Sequence, residues 1–401
     1  MSDVYQRSVE LHKKNNGKIK LESKIKVENN DDLSLVYTPG VAQVSREIAQ
    51  NVNKSFELTW RGDVVAIVSD GSAVLGLGNI GPEAGLPVME GKAMLMQRFG
   101  GVSAVPIVTN AHSADELVDL VTKIAPSFGA INLEDIASPI CLEVEDRLQD
   151  IGIPVFHDDQ HGTAIVVSAA IRNGAKVVGK KYEELVVVVS GAGAAGLAIT
   201  QMLLGIDRVD GELIKVDGAS RVKEVRLVDS KGVLSVDREG MNSWKEKFVK
   251  VTNESNMVGS LADGMKGADV LVGVSAGGIV TKKMVEGMAS DSMVLAMANP
   301  EPEITPELAR EAGAVIIGTG RSDYPNQVNN SLAFPGIFKG LLESRATKIT
   351  IGVKQRVSEV LASLVEPVSD KILPTMFDEG VAKKIADAVV KQIEKEGLGR
   401  V

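Results

Sequence analysis

Features that cross-link a chain or carry it to a membrane are almost absent from this sequence. One cysteine, Cys141, occurs in 401 residues, which excludes an internal disulfide and a cysteine-rich metal site. A lone thiol fits a reducing compartment, and we expect Cys141 to be a small apolar filler. The first residues lack the apolar stretch of a signal peptide, so the sequence predicts a cytoplasmic protein.

Basic clusters and long apolar runs are scarce as well. The 44 Lys and Arg residues are outnumbered by 53 Asp and Glu residues, and no basic block interrupts this balance. We therefore expect neither a nucleic-acid partner nor an anionic membrane partner. The longest apolar run, 185–199, is broken by Ser190 and three glycines and is too short to span a bilayer.

Alternating strand-like and helix-like segments indicate an α/β protein. A length of 401 residues exceeds what one core usually holds, so two domains are expected. After a polar, lysine-rich start, four short apolar runs each end in polar or acidic residues, and helix-like stretches separate them. This spacing predicts βαβ units and a parallel sheet. The four runs cover residues 64–70, 104–110, 129–135 and 153–159.

The polar residues at the ends of these runs predict a metal site. In a parallel sheet the carboxyl ends of the strands share one edge, and ligands bind there. Carboxylate oxygens at adjacent strand ends suit a hard divalent cation such as Mg²⁺ or Mn²⁺. The candidate ligands are Glu134, Asp135 and one of Asp158 and Asp159. The alternative is that these acids only cap helices, and we expect His157 and His161 to support the site rather than bind the ion.

A second strand series begins near residue 185 with a glycine-rich turn. The run 186–190 leads into Gly191-Ala-Gly193-Ala194-Ala195-Gly196 and a helix-like stretch. Such glycines let the backbone approach a pyrophosphate at a helix N-terminus, so the turn predicts a dinucleotide site. A helix start without a ligand is the alternative. Further strands are expected at 224–229, 270–274, 293–299 and 314–320, and residues 344–401 look helical.

The acid expected to hold the adenosine ribose lies farther along the chain than usual. It commonly follows the first glycine by about 20 residues, whereas Asp229, which ends the next convincing strand, follows Gly191 by 38. We interpret residues 207–223 as an insertion and assign the ribose to Asp229. Ser230 and Lys231 come next, so a 2′-phosphate is also compatible and the choice between NAD and NADP stays open.

Two further residues suggest proton transfer. Tyr37 precedes a Thr-Pro-Gly turn, and Lys92 lies in an otherwise apolar, helix-like segment. A lysine partly buried beside a cation has a lowered pKa and can act as a base. From the residues alone, a packed aromatic and a surface lysine are the ordinary alternatives.

Taken together, the motifs resemble those of the malic enzymes, in the order found in that family. The resemblance covers most of residues 35–345 and is carried by Tyr37-Thr-Pro-Gly-Val, the 69–81 segment, Glu90-Gly-Lys92, Leu133-Glu-Asp135, the 156–163 segment, the glycine turn, Ala298-Asn-Pro300 and the 325–334 segment. The chain is similar to the short bacterial form. The resemblance implies an N-terminal parallel-sheet malic-type domain over 1–160. A Rossmann-like NAD(P)-binding domain with C-terminal helices would follow over 161–401.

The resemblance also implies oxidative decarboxylation of L-malate to pyruvate and CO₂, with NAD or NADP and with Mg²⁺ or Mn²⁺. Lys92 would take the proton of the C2 hydroxyl, and Tyr37 would protonate C3 of enolpyruvate. The metal ligands would be Glu134, Asp135 and Asp159. Asp158 would be a neighbour that orients these ligands.

Three asparagines are also expected in the site, and the group that binds the substrate carboxylate has no residue assigned. Asn299, Asn329 and Asn330 resemble the substrate- and nicotinamide-side asparagines of the family. Larger members use an arginine within the segment that matches 70–75, which here reads Asp-Gly-Ser-Ala-Val-Leu. The clamp on the substrate carboxylate is therefore unassigned, with backbone amides of the 71–81 loop as candidates. In short members the tyrosine can cross a dimer interface, so a homodimer or a higher homo-oligomer is expected.

Two other functions are compatible with the same residues. One is a different metal- and NAD(P)-dependent dehydrogenase or decarboxylase of 2-hydroxy acids. The other is a non-catalytic, nucleotide-binding regulator. The combined presence of Tyr37, Lys92 and three candidate ligands argues against the regulator, which has no chemical need for them.

Overall fold

The computed structural model describes residues 2–74 and 76–400. Leu75, inside the loop considered for a substrate carboxylate, lies outside the described residues. The strands are β1 (Val64–Ser69), β2 (Ser103–Val108), β3 (Ala130–Leu133), β4 (Val155–His157), β5 (Val186–Ser190), β6 (Ile206–Val209), β7 (Glu212–Lys215), β8 (Glu224–Asp229), β9 (Gly232–Val233), β10 (Val270–Gly273), β11 (Met293–Ala296) and β12 (Ile316–Thr319).

The α-helices alternate with these strands and continue beyond them. They are α1 (Ser2–Asn15), α2 (Asn30–Val36), α3 (Val41–Gln50), α4 (Ser55–Leu58), α5 (Pro82–Leu95), α6 (Ala114–Ile124), α7 (Ile140–Arg147), α8 (Asp158–Val177), α9 (Ala194–Leu204), α10 (Ser243–Phe248), α11 (Leu261–Met265), α12 (Lys282–Glu286), α13 (Pro306–Glu311), α14 (Phe334–Glu343), α15 (Ile351–Ser363) and α16 (Val381–Glu396). No described helix is both long and apolar enough to cross a bilayer.

The first sheet is parallel, with the strand order β2–β1–β3–β4. Its strands are the four apolar runs read from the sequence, so that prediction is confirmed. Strand β1 is buried at every position, as expected of a parallel strand covered on both faces. The chain moves from β1 to β2 on one side and returns to β3 on the other. The strand order thus reverses between β1 and β3, the place where ligands bind in such sheets.

The second sheet has the order β12–β11–β10–β5–β8–β9. Neighbouring strands from β12 to β8 are parallel, and the short β9 runs antiparallel to β8. The glycine turn follows β5, and the strand order reverses between β5 and β10. The predicted α/β architecture with two parallel-sheet units is therefore confirmed.

The predicted insertion between β5 and β8 is a separate antiparallel hairpin. Strands β6 and β7 pair with each other, outside the six-stranded sheet. This hairpin delays β8 along the sequence, which explains the late position of Asp229.

The two halves of the chain pack against each other. The expected division between residues 160 and 161 falls in the first turn of α8, and α8 packs on α9 and α15. Helix α14 returns to the first sheet and contacts β3. A Cβ at Gly100 would lie 2.6 Å from the Pro335 carbonyl oxygen, so only glycine permits this approach.

Helix α15 begins at Ile351 because Thr350 caps it, accepting a hydrogen bond from the Val353 amide.

Candidate active site

Three carboxylates lie together at the carboxyl edge of the first sheet. Glu134 and Asp135 follow β3, and Asp159 lies in the first turn of α8, directly after β4. One oxygen from each carboxylate lies within 4.8 Å of the other two, and Glu134 and Asp135 are buried. A 2.8 Å hydrogen bond from the Asp135 amide to Asp159 Oδ2 links the two segments. The fold thus brings the predicted ligands to one point.

Negative charge is in excess at this point. Burial raises the pKa of Glu134 well above its usual range, and the neighbouring Asp159 carboxylate raises it further. Asn132 donates a 2.9 Å hydrogen bond to Glu134 Oε2, which fixes the carboxylate. Buried acids this close together are costly unless a cation neutralises them. The donor set of three carboxylates therefore fits Mg²⁺ or Mn²⁺, which prefer oxygen ligands.

Lys92 is buried beside these acids. Only 8% of its side chain is exposed, so the surface-lysine interpretation is wrong. Its ammonium donates to Glu134 Oε1 and, at 2.5 Å, to Asp158 Oδ2, and it lies 4.7 Å from the centre of the Phe334 ring. Burial lowers the pKa of Lys92, but the carboxylates of Asp158, Glu134 and Asp159 outweigh it and raise the pKa. A cation beside Lys92 would lower the pKa of its side chain, whereas the carboxylates that surround it raise that pKa.

Asp158 contacts Lys92 and lies outside the three-carboxylate cluster. It is fully buried, and burial raises its pKa to about 6 although Lys92 opposes the shift. Room for its side chain comes from Gly162, where a Cβ would lie 1.9 Å from Asp158 Oδ1. The structure thus places Asp158 where it can position the lysine.

The two histidines lie near the acids but outside the cluster. His157 Nδ1 is 3.7 Å from Asp159 Oδ2, and burial lowers the pKa of His157. His161 Nε2 lies 2.6 Å from Glu145 Oε1, and burial lowers the pKa of His161 to about 4. Both rings are buried, so their placement is that of supporting side chains. Cys141 is buried as well, and burial raises its pKa to about 12, as expected of an apolar filler.

A cavity of about 470 Å³ joins the acids to the second sheet. Asp135 and Asp159 line it from one side, and Ala194 and Ala195 at the start of α9 line it from the other. The asparagines predicted from the resemblance also line it: Asn299, Asn329 and Asn330. The volume is typical of a small-molecule site. The predicted metal, substrate and nicotinamide positions thus share one space.

The 71–81 loop uses most of its amides within the protein. Those that donate hydrogen bonds to protein acceptors belong to Gly71, Ser72, Ala73, Val74, Leu77, Gly78 and Ile80. Ala73 and Gly76 line the cavity. Of these two, Ala73 donates to the Asp135 carbonyl oxygen at 2.9 Å. Within the described part of the loop, Gly76 is therefore the cavity-lining residue whose amide is not among these donors.

Tyr37 is not brought into this cavity by its own chain. It follows α2, is 67% exposed and is not among the residues that line the cavity. The packed-aromatic interpretation is therefore wrong for the single chain.

The glycine turn contains two approaches that only glycine permits. Gly191 has a φ of +121°, and a Cβ there would lie 2.5 Å from the Val274 carbonyl oxygen. A Cβ at Gly196 would lie 1.7 Å from the Gly191 carbonyl oxygen. Gly193 faces open space and begins α9 without a side-chain cap. The first amides of α9 are thus accessible, and a pyrophosphate fits this cradle.

Asp229 ends β8 beside the turn and lines a second cavity, of about 670 Å³, with Gly191 and Gly193. Arg238 Nη2 donates to both of its carboxylate oxygens, at 2.6 and 2.7 Å. Lys245 donates to Oδ2 at 2.7 Å. Burial raises the pKa of Asp229, but hydrogen bonds from Lys245, the Lys231 amide and Arg238 outweigh it and lower the pKa. Sequence reasoning missed both cationic side chains, which belong to no motif.

Glu303 is a second residue that sequence reasoning missed. Its buried carboxylate accepts hydrogen bonds from the Ser275 amide at 2.8 Å and from the Ala298 amide at 3.0 Å. Ser275 follows β10 and lines both cavities, and its hydroxyl lies 3.1 Å from Ser190 Oγ at the end of β5. Glu303 thus joins the ends of β10 and β11, and Ser275 links them to the end of β5. In the sequence, Glu301 and Glu303 follow Asn299 closely. Nothing in this pattern indicates the contacts of Glu303.

Comparison with known families covers nearly the whole chain. The description "Malic enzyme, N-terminal domain" matches residues 14–149, and "Malic enzyme, NAD binding domain" matches residues 160–394. A bifunctional malic/malolactic enzyme of Bacillus subtilis is 49% identical over 99% of this chain and 94% of its own length. An NAD-dependent malic enzyme of Geobacillus stearothermophilus is 47% identical over 96% of this chain and 78% of its own. Relatives named as NADP-dependent match as well.

A solved structure has the same fold. The malic enzyme from Pyrococcus horikoshii superposes with a TM-score of 0.92 at 44% identity. The match covers 99% of this chain and 92% of that one. The similarity thus extends through both sheets and the C-terminal helices.

Proposed function

The chain belongs to the malic enzyme family, and from this membership we infer that it oxidatively decarboxylates L-malate. The products are pyruvate and CO₂, and NAD or NADP is reduced. One structural observation supports this reaction independently of the family membership: Asp135 and Asp159 share a cavity with the start of α9. Lys92 contacts the third acid, Glu134.

We propose that Glu134, Asp135 and Asp159 hold the divalent cation. Their mutual distances, their burial and the excess of negative charge support this assignment. When bound, the cation would supply Lewis-acid stabilisation of negative charge on the C2 oxygen. The carboxylates would fix the position of the cation and therefore of the charge on the C2 oxygen. The hydrogen bond from the Asp135 amide to Asp159 Oδ2 holds the two segments that carry them together.

We assign proton transfer at C2 to Lys92. Its Nζ is buried, lies against the proposed ligand Glu134 and is held by Asp158. As a neutral amine, the form that a cation held by the neighbouring carboxylates would favour, this nitrogen would take the proton of the C2 hydroxyl, and two carboxylates fix its position. The Lys92 ammonium also lies 4.7 Å from the centre of the Phe334 ring.

We assign coenzyme binding to the glycine turn, and substrate contacts to the asparagines. Gly191, Gly193 and Gly196 give the backbone its close approach, and Ala194 and Ala195 begin the helix that faces the cavity. Asp229 and Asn299 are the assigned contacts at the adenosine and nicotinamide ends. Asn299, Asn329 and Asn330 can donate hydrogen bonds to malate oxygens from the cavity wall. The nicotinamide would accept the hydride that leaves C2.

We further propose a homodimer in which Tyr37 serves the partner's site as the acid that protonates C3. Tyr37 is exposed, and other large apolar side chains within the first 60 residues are exposed as well, among them Val4, Tyr5, Leu11, Leu21, Leu33, Leu35, Val52 and Trp60. So many exposed apolar side chains in one part of the chain are typical of an interface. The test mixes inactive Tyr37→Phe and Lys92→Ala chains, because a hybrid dimer would restore one complete site. If one variant carries an affinity tag and co-purification of the untagged variant shows that hybrids have formed, no recovery of activity would contradict a shared site.

We also propose that the two parts of the chain supply different parts of the site and that the protein is cytoplasmic, as expected from the sequence. Residues 1–160 would supply the metal and substrate groups, and residues 161–401 would supply the coenzyme site. The buried thiol Cys141 suits a reducing cytoplasm.

The proposed reaction is tested by product analysis. Malate with Mn²⁺ or Mg²⁺ and either coenzyme should yield reduced coenzyme and pyruvate in equal amounts. Accumulation of oxaloacetate without pyruvate would favour a 2-hydroxy-acid dehydrogenase instead. Absence of any coenzyme reduction would favour a nucleotide-binding regulator.

A further inference from the structure

A series of buried, charged side chains joins the hairpin insertion to the first turn of α8. Glu145, on α7, is buried and occupies the middle of this series. Its Oε2 accepts a hydrogen bond from Arg208 on β6, and its Oε1 lies 2.6 Å from Nε2 of His161 on α8. The proposed reaction makes no direct use of these three side chains.

His161 is held on its other side by a lysine. Lys354 on α15 is buried, and its Nζ lies 3.2 Å from His161 Nδ1. An ammonium can only donate, so Nδ1 accepts from Lys354 and Nε2 carries the proton that faces Glu145. The ring centre of His161 also lies 5.7 Å from that of Phe156 on β4. Both ring nitrogens and the ring itself thus have partners in the protein.

His161 lies in the same helical turn as a proposed metal ligand. Helix α8 begins at Asp158 without a side-chain cap from His157, and Asp159 is its second residue. Because backbone hydrogen bonds make a helical turn move as a unit, the contacts that fix His161 also limit the movement of Asp159. The hydrogen bond from the Asp135 amide to Asp159 fixes the same turn from the side of β3.

The other end of the series belongs to the second half of the chain. Arg208 Nε lies 3.0 Å from Asp146 Oδ1, and its guanidinium lies 5.4 Å from the ring centre of Trp244 on α10. Asp207, the preceding residue on β6, accepts a hydrogen bond from the Ile351 amide at the start of α15. The hairpin is thus fixed to α7, α10 and α15, and through α7 it constrains α8.

We propose that Glu145 and His161 are positioning residues for the metal ligand Asp159 and that Arg208 of the hairpin holds them in place. Loss of a contact in this relay loosens the first turn of α8 and weakens binding of the divalent cation, although none of the three side chains binds the ion. Residues that hold metal ligands in place commonly contribute about 10- to 100-fold to metal affinity. The inference rests on the proposed function in taking Asp159 as a ligand.

The direct test is calorimetric titration with Mn²⁺, without malate or coenzyme. His161→Phe keeps an aromatic ring beside Phe156 but removes both ring nitrogens, and it should raise the Kd for Mn²⁺ by about 10-fold or more. His161→Gln, whose amide can still donate to Glu145, should stay within about threefold of the wild-type Kd. The matched control is His112→Phe, the same substitution at an exposed position after β2, which should bind Mn²⁺ normally. An unchanged Kd in His161→Phe that circular dichroism shows to be folded would overturn the proposal.

Arg208→Met tests the relay from its other end, and it does so even if His161→Phe fails to fold. It should also raise the Kd for Mn²⁺, and Arg208→Lys, which keeps a cation beside Glu145, should recover part of the affinity. Effects that pass through one relay are not additive, so the double variant should bind Mn²⁺ within about twofold of the weaker single variant. A Kd raised by the product of the two single effects would refute a shared relay.

Failure of this inference differs from failure of the proposed function. If the wild-type protein binds no Mn²⁺, the proposed metal site is refuted and the relay with it. If the wild type and the variants bind Mn²⁺ equally well while the variants unfold at lower temperature, the three side chains have only a structural role. In that case the relay is refuted and the proposed ligands stand.

Discussion

At the scale of single residues, the site is a set of charges whose positions are fixed by burial. Glu134 and Lys92 are both buried and in contact, so neither can move to solvent at low cost. This constraint gives each side chain one role.

Replacement of the base should remove turnover and spare binding. Lys92→Ala is expected to lower kcat by about 10²- to 10⁴-fold, the usual contribution of a general base. Coenzyme affinity should stay nearly constant, because Lys92 is not among the residues that line the coenzyme cavity beside Asp229. Steady-state kinetics and fluorescence titration measure the two quantities. Lys339→Ala, which breaks a half-exposed pair with Glu343, is the control, and an unchanged kcat in Lys92→Ala would refute the base assignment.

Replacement of a ligand should remove metal dependence. Asp135→Asn is expected to weaken Mn²⁺ binding by at least about 10-fold, because it withdraws a charged oxygen ligand from a hard cation. Calorimetric titration with Mn²⁺ measures this directly. Asp115→Asn, at an exposed site that pairs with Arg147, should bind Mn²⁺ normally. A normal Mn²⁺ affinity in Asp135→Asn would exclude Asp135 as a ligand.

At the scale of elements, the strand ends are positioned by groups that are far away in sequence. Glu303 joins the ends of β10 and β11 through two amide hydrogen bonds. A Cβ at Gly273 would lie 2.5 Å from Glu303 Oε2, so the strand leaves space for this carboxylate. The walls of the coenzyme cavity thus depend on one buried acid.

Removal of this acid should loosen the cavity walls. Glu303→Ala leaves two buried amides without acceptors and is expected to lower the free energy of unfolding by about 2–5 kcal/mol. The KM for the coenzyme should rise more than the KM for malate, because Ser275 lines the coenzyme cavity and its hydroxyl lies 3.1 Å from Ser190 Oγ, next to the glycine turn. Glu303→Gln keeps one acceptor oxygen and should recover part of the loss. Urea unfolding and kinetics are compared with Glu301→Ala in the same loop; equal effects of the two substitutions would contradict this role.

The elements themselves were largely predictable, whereas their long-range contacts were not. Strands such as β1 and β3 were predictable because apolar runs ending in Asp70 or Glu134 carry a local signal. The ligand cluster followed because strand ends must meet at one edge. Arg238 and Lys245 contact Asp229 because the chain folds back towards the end of β8 after β9. No local sequence pattern indicates this path. Tyr37 is exposed and does not line the cavity that contains the acids, so its assignment rests on the family resemblance.

At the scale of the whole molecule, a buried ion-pair network joins the two halves. Arg208, on β6 of the hairpin insertion, pairs with Glu145 and Asp146 on α7 of the first half, and its side chain is 5% exposed. Burial opposes ionisation of Glu145, but His161 and Arg208 outweigh burial and hold its pKa well below the usual range. The hairpin therefore acts as a contact between domains.

Loss of this contact should destabilise the molecule in a pH-dependent way. Arg208→Met leaves a buried carboxylate without its cation and is expected to cost about 3–5 kcal/mol at neutral pH. Since the folded pKa of Glu145 is depressed, the pair stabilises above the ordinary carboxyl pKa, and this stabilisation is lost as pH falls. The difference between the two proteins should therefore shrink below about pH 5. Urea unfolding from pH 7 to pH 2 measures it, because the loss begins near the ordinary carboxyl pKa and continues towards the lower folded pKa.

An exposed pair between the same two halves provides the control. Arg345 contacts Glu57, and both side chains are substantially exposed. Arg345→Met should change the free energy of unfolding by no more than about 1 kcal/mol. A loss in Arg208→Met that was as small, or that did not vary with pH, would contradict the buried-pair account.

The central claim is that one metal-dependent site on this chain oxidises malate and releases its C4 carboxyl group as CO₂. Malate labelled with ¹³C at C4 should give labelled CO₂, pyruvate and reduced coenzyme in equal amounts. A chelator should stop all three products together, and added Mn²⁺ should restore them together. Coenzyme reduction with retention of the label in oxaloacetate, or a rate that a chelator leaves unchanged, would contradict the account.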